Sequence, residues 1–119
     1  MQVPKPTDAD KARFRSLVPE APGVEVRPMF GNLGGFVNGN MFMGLFGPDI
    51  GVKLAPADDA QLRAVEGARP FGPPERPMAG WVTLAPAQLG TAEGTRWIAL
   101  ALAHVRTLPP KKAKAKAKA

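Results

Sequence analysis

The chain has 119 residues, with 16 Lys and Arg against 10 Asp and Glu, a formal net charge of +6, 45% hydrophobic residues, 13 Gly, 14 Pro and no Cys. Such a length holds one domain that can bury roughly two thirds of its unfolded surface unaided, and the lack of cysteine removes disulfides, thiolate catalysis, zinc knuckles and iron–sulfur ligation. It is too apolar for a disordered protein and too heavily punctuated by Gly and Pro for a helical bundle, so short strands and short helices are expected. The opening residues, MQVPKPTDADKARF, show no apolar stretch of the signal-peptide kind, and nothing approaches the ~18 apolar residues that span a bilayer. A cytoplasmic protein with no membrane partner is the expectation.

Thr7-Asp8-Ala9-Asp10 offers a helix cap, and Phe14, Leu17 and Val18 follow at helical spacing, predicting a first helix from about Asp8 to Val18. Pro19, Pro22 and Gly23 end it, and Val24-Glu25-Val26-Arg27 alternates as a half-buried strand does. The segment from Arg27 to Phe46 is crowded with Phe, Met and Gly around Asn38-Gly39, the strongest short hairpin signal. With those two residues at the tip, regular pairing sets Phe36 against Met41, Gly35 against Phe42, Gly34 against Met43 and Leu33 against Gly44. The second hairpin strand, Met41 to Phe46, is apolar on both pleat faces, which predicts a central strand covered on both sides or facing a pocket. Gly47-Pro48-Asp49 supplies the next turn, and Ile50, Val52 and Leu54 point away from Gly51 and Lys53.

Pro56, Asp58 and Asp59 open a short second helix with Leu62 and Val65 on one side and Gly67 after it. The stretch from Arg69 to Met78 carries four prolines and reads as an irregular loop. Gly80 to Leu84 reads as a fifth strand, and Ile98, Ala101, Leu102 and Val105 form the stripe of a last helix from about Thr91 to Leu108. The pattern predicts an α+β fold: an antiparallel sheet of about five strands in a meander, with helices at both ends of the chain and one short internal helix packed on it.

The charge is unevenly spread. Lys111, Lys112, Lys114, Lys116 and Lys118 fall in the last nine positions, so residues 1–110 hold 11 basic against 10 acidic residues, close to neutral. Residues 1–110 are expected to form the domain and 111–119 a basic tail, disordered when free, since like charges recur four apart with nothing apolar to pack. The tail reads as a solubilising terminus or as a phosphate-binding arm.

Catalytic chemistry finds little support. The single histidine, His104, has no apparent orienting partner or nucleophile, Asp58 and Asp59 diverge on a helix, and Gly31-Asn32-Leu33-Gly34-Gly35 lacks the Lys-Ser/Thr of a phosphate loop. No cofactor or metal is expected, and the chain is not expected to be an enzyme. Arg-Pro-Met occurs twice, at Arg27-Pro28-Met29 and Arg76-Pro77-Met78. With Lys53 and Arg69 nearby these would converge four cations into an anion or nucleic-acid groove, with Phe30 or Phe71 as a stacking face. The plainer reading pairs them with Glu25, Asp49, Glu66 and Glu75 at the surface.

Met29-Phe30-Gly31, Gly34 and Gly35, Phe36, Gly39, Met41-Phe42, the Lys53 strand, Arg69-Pro70-Phe71 and Met78-Ala79-Gly80-Trp81 occur in an order that resembles the N-terminal domain of the TfoX/Sxy family, over roughly positions 10 to 107. The resemblance implies an α+β domain and a regulatory role, since members control natural competence together with the cyclic-AMP receptor protein. The longer regulators carry a helical C-terminal domain where this chain carries lysine and alanine. A small regulatory or adaptor domain follows, with weak nucleic-acid affinity through the tail. The alternatives are a homodimerising or other protein-interaction domain, and a small-molecule site lined by Phe and Met.

Overall fold

A computed structural model of the chain describes residues 4–29, 31–73 and 75–110. Phe30 and the tail lysines Lys111, Lys112, Lys114, Lys116 and Lys118 therefore lie outside the described residues. The Thr7 hydroxyl accepts from the Asp10 amide at 3.0 Å while the Asp10 carboxylate accepts from the Thr7 amide at 2.9 Å, and this reciprocal cap starts α1 (Asp8–Leu17). The contact with the Thr7 backbone is the main cause holding the Asp10 carboxyl below its ordinary value. Phe14 is the one fully buried residue of α1 among those described.

Six antiparallel strands follow among the described residues: β1 (Val24–Met29), β2 (Asn32–Val37), β3 (Asn40–Phe46), β4 (Asp49–Lys53), β5 (Arg69–Pro70) and β6 (Trp81–Thr83). Their order in the sheet is β1-β2-β3-β4-β6-β5. The first four form the expected meander, after which β6 inserts beside β4 and β5 pairs on its outer side. The strand beyond the expected five is β5, Arg69–Pro70, in the stretch that reads as an irregular loop. Two residues are too few to show alternation and a residue before proline is extended in loops as well, so only the pairing with β6 makes this segment a strand.

Asn38 (φ 53°) and Gly39 (φ 83°) both take the left-handed backbone that a tight two-residue hairpin turn demands. Beyond that turn the pairing departs from the regular ladder. Phe36 pairs with Met41 as expected, but Gly35 pairs with Met43 and Gly34 with Gly44, so Phe42 is an extra residue in β3. This bulge corrects the pairing read from the sequence, which assumed an unbroken ladder.

α2 (Pro56–Arg63) leads from β4 toward β5, and α3 (Ala92–Arg106), capped by the Thr91 hydroxyl, closes the domain. One face of the sheet supplies Leu33, Val37, Met43, Leu45, Ile50, Val52, Val82 and Leu84 to a core completed by Phe14 and by Trp97, Ile98, Ala101, Leu102 and Val105 of α3. Phe42 is fully buried on this side, and the bulge turns Met43 to the same side beside it. The result is an α+β fold with α1 and α3 over one sheet face.

Truncating Phe14 to Ala should cost about 3–5 kcal/mol, a large share of the ~5–15 kcal/mol typical of a domain, because that ring is the fully buried anchor of α1, with Leu17 only partly buried beside it. Urea unfolding checks it. A loss below about 1 kcal/mol would mean that α1 is not held there by Phe14.

Candidate functional site

Among the described residues the opposite face of the sheet carries no α-helix of its own. Following the register across it, Arg27 pairs with Gly34, Gly34 with Gly44, Gly44 with Gly51, Gly51 with Thr83 and Thr83 with Arg69. One cross-strand row thus has an arginine at each end and three adjacent glycines on the central strands. Larger side chains flank this bare floor: Phe36 and Met41 on one side, Met29, Asn32 and Phe46 on the other.

The proline-rich segment after β5 folds back as a cover. The Met78 amide donates to the Phe71 carbonyl at 2.9 Å, and Gly72 (φ 104°) makes the bend that this closure needs. Phe71 then stacks on Trp81, with centroids 5.4 Å apart and planes at 23°, and meets Phe46 edge-on at 6.1 Å. Beside the Phe71 ring, over Gly44, remains an apolar cavity of about 360 Å³. Its lining includes Met29, Met41, Met78, Phe46, Phe71 and Pro73.

The three glycines are small for different reasons. A Cβ on Gly51 would run into the Phe71 ring, and one on Gly34 would lie 2.8 Å from both the Met41 sulfur and the Phe36 ring. On Gly44 it would lie 3.4 Å from Phe71 and 3.8 Å from Met41, ordinary contact distances. Gly51 and Gly34 are covered by this chain's own side chains. The space above Gly44 is the cavity.

Asn32 is the polar side chain in the lining, and both ends of its amide are in use. Its nitrogen donates to the Pro4 carbonyl at 3.1 Å and its oxygen accepts from the Gly47 amide at 2.8 Å. The walls therefore offer a guest packing rather than hydrogen bonds from side chains.

The charged candidates are distributed along the sheet rather than gathered. Arg27 donates to Glu25 at 2.7 Å and lies over the Phe36 ring at 4.7 Å. Arg69 donates to both Asp49 oxygens, at 2.9 and 3.4 Å, and this carboxylate raises the guanidinium pKa above its ordinary value. These arginines stand on opposite edge strands, five interstrand spacings or roughly 24 Å apart, so they are not brought together. Both pairings are those of the plainer surface reading, with Glu25 and Asp49 as the acids. Lys53 is half-buried opposite Trp81, and Arg76 is exposed in the covering loop, where its amide donates to Pro73. Among the described residues neither Lys53 nor Arg76 has a carboxylate within 4.0 Å.

The residues that carried the family resemblance divide between turns and the two faces. Gly31, Gly39 and Gly80 hold positive-φ turns, Gly35 and Phe42 face the helices, and Met29, Phe36, Phe71, Met78 and Trp81 flank or cover the glycine row. Gly44, Gly51 and Phe46 are not site candidates by sequence: the Gly47-Pro48 turn sets Gly44 against Gly51, but bringing Gly34 into the same row requires the extra residue at Phe42. His104 is half-buried in the last turn of α3, and no group of three His, Cys, Asp or Glu among the described residues could hold a metal. No helix among them is long and apolar enough to cross a membrane.

The family model of the TfoX N-terminal domain matches residues 16–105 of the chain. Among curated proteins and solved structures, none matches.

Two alanine substitutions should separate the glycines. Gly51→Ala should lose about 1–3 kcal/mol by forcing Phe71 off its seat. Gly44→Ala should be neutral or gain up to about 1 kcal/mol, since alanine orders a strand at less entropic cost. Thermal unfolding of both variants is the measurement, and equal losses would contradict the difference in their surroundings.

Proposed function

The chain belongs to the TfoX N-terminal domain family, and on that premise we propose that it is a non-enzymatic regulatory or adaptor module of the TfoX type, acting in the cytoplasm on transcription. The observation that carries the non-enzymatic reading is the composition of the cavity over the glycine row. Among the described residues its lining is Met, Phe, Leu, Pro and Gly with one engaged Asn, without an acid, base or nucleophile. Such a site supports binding.

Self-association by edge pairing is disfavoured. The two edge strands each carry a proline, Pro28 in β1 and Pro70 in β5, and β5 has only two residues. Proline removes a donor where an added strand would need one. The module is therefore read as working on a partner other than its own copy.

Nucleic-acid contact is assigned to the tail, because five lysines in nine residues hold nearly all the excess charge while residues 1–110 are close to neutral. Arg27 and Arg69, each held by a carboxylate on opposite edges, add no groove to it.

Titrating a labelled duplex with the full chain and with a chain ending at Pro110, across a series of salt concentrations, tests this assignment. The full chain should bind weakly with a log–log salt slope of about −4 to −5, and the shortened chain should not bind. Equal binding by both would move the contact onto the folded body, and no binding by either at low salt would remove the nucleic-acid role.

A further inference from the structure

A β-sheet normally fills its surface with side chains, and a glycine in a strand interior loses both packing and order. Gly51 and Gly34 recover this loss because Phe71 and the Phe36–Met41 pair occupy their places. Gly44 does not: its nearest neighbours would tolerate a Cβ, its φ is not in the left-handed region, and the space it leaves remains part of the 360 Å³ cavity. Neither backbone geometry nor the chain's own packing requires glycine at this position.

We propose that Gly44 is the floor of a small-molecule site whose ligand is an aromatic hydrophobe of one or two fused rings. Size follows from the volume: at the ~30 Å³ that a water takes in the liquid, the cavity holds roughly a dozen non-hydrogen atoms. Apolarity follows from Asn32, whose amide is already spent on Pro4 and Gly47, so a buried polar group on the ligand would find no side-chain partner. Aromaticity follows from the walls. Three thioethers, of Met29, Met41 and Met78, surround the cavity together with the rings of Phe46 and Phe71. Sulfur at a ring edge and ring against ring both favour a π-system over a saturated body of the same size. Any polar substituent points out of the mouth. This site is independent of the lysine tail, so the outcome of the duplex titration does not bear on it.

The test uses the full chain with methyl-labelled methionine, titrated with naphthol and, separately, with its saturated analogue decalol, and followed by NMR. Naphthol should shift the Met29, Met41 and Met78 methyls saturably and leave Met43, fully buried on the helix face, in place. Decalol should bind at least about threefold more weakly. Gly44→Val places its methyls in the cavity and should weaken naphthol by at least about tenfold, with an unmoved Met43 signal showing that the fold is kept. Should Gly44→Val disturb that signal, Gly44→Ala should still weaken naphthol measurably. Absence of saturable shifts, or naphthol affinity unchanged in a folded Gly44→Val chain, would overturn the site. Decalol binding as tightly as naphthol would overturn its aromatic class.

Discussion

Between Gly35 and Phe36 the ladder joining β2 and β3 takes in one extra residue, Phe42, and the open face of the sheet depends on that slip. Side chains alternate between faces with a period of two, so a shift of one residue exchanges whole sets of neighbours. Without the bulge Gly34 would lie against Met43 and Leu33 against Gly44, and each glycine would be filled by the bulky residue opposite. With it, Gly34, Gly44 and Gly51 fall into one row while Phe42 and Met43 both serve the helix-side core. A single insertion thus thickens one layer and empties the other.

The emptied layer is only partly refilled. Phe71, arriving from a two-residue edge strand and held by the Met78–Phe71 backbone bond, covers Gly51 and stacks on Trp81. Its ring stops short of filling the space above Gly44, which leaves a cavity walled by thioethers and aromatic rings. Methionine adapts its shape more readily than branched side chains, so such walls can close around a guest without disturbing the strands beneath. The strands are fixed from the other side, where α3 packs on β3 and β4 through a fully buried Val105 and a nearly buried Trp97.

Much of this fold is legible in the sequence because local and tertiary preferences agree. The Thr7–Asp10 cap, the Asn38-Gly39 turn, the Pro56 start of α2 and the 3.6-residue stripe of α3 each have a physical cause within a few residues. The bulge has none that was visible, since Met41-Phe42-Met43 offers the same apolar character in either register. β5 is not legible for a related reason: a residue before proline is extended in loops as in strands, and only the pairing with β6 makes Arg69–Pro70 a strand. The site inherited both gaps. By sequence Arg27 and Arg76 of the repeated Arg-Pro-Met converge with Lys53 and Arg69, yet the sheet puts Arg27 and Arg69 at opposite ends of the row whose glycines matter more.

The register of β2 on β3 is open to direct observation by cross-strand nuclear Overhauser contacts between backbone protons. The bulged ladder gives Gly44 close contacts to Gly34 on one side and Gly51 on the other, with Met43 reporting on Gly35. Contacts from Gly34 to Met43 and from Leu33 to Gly44 would mean an unbroken ladder, and with it the glycine row and the cavity above Gly44 would be gone.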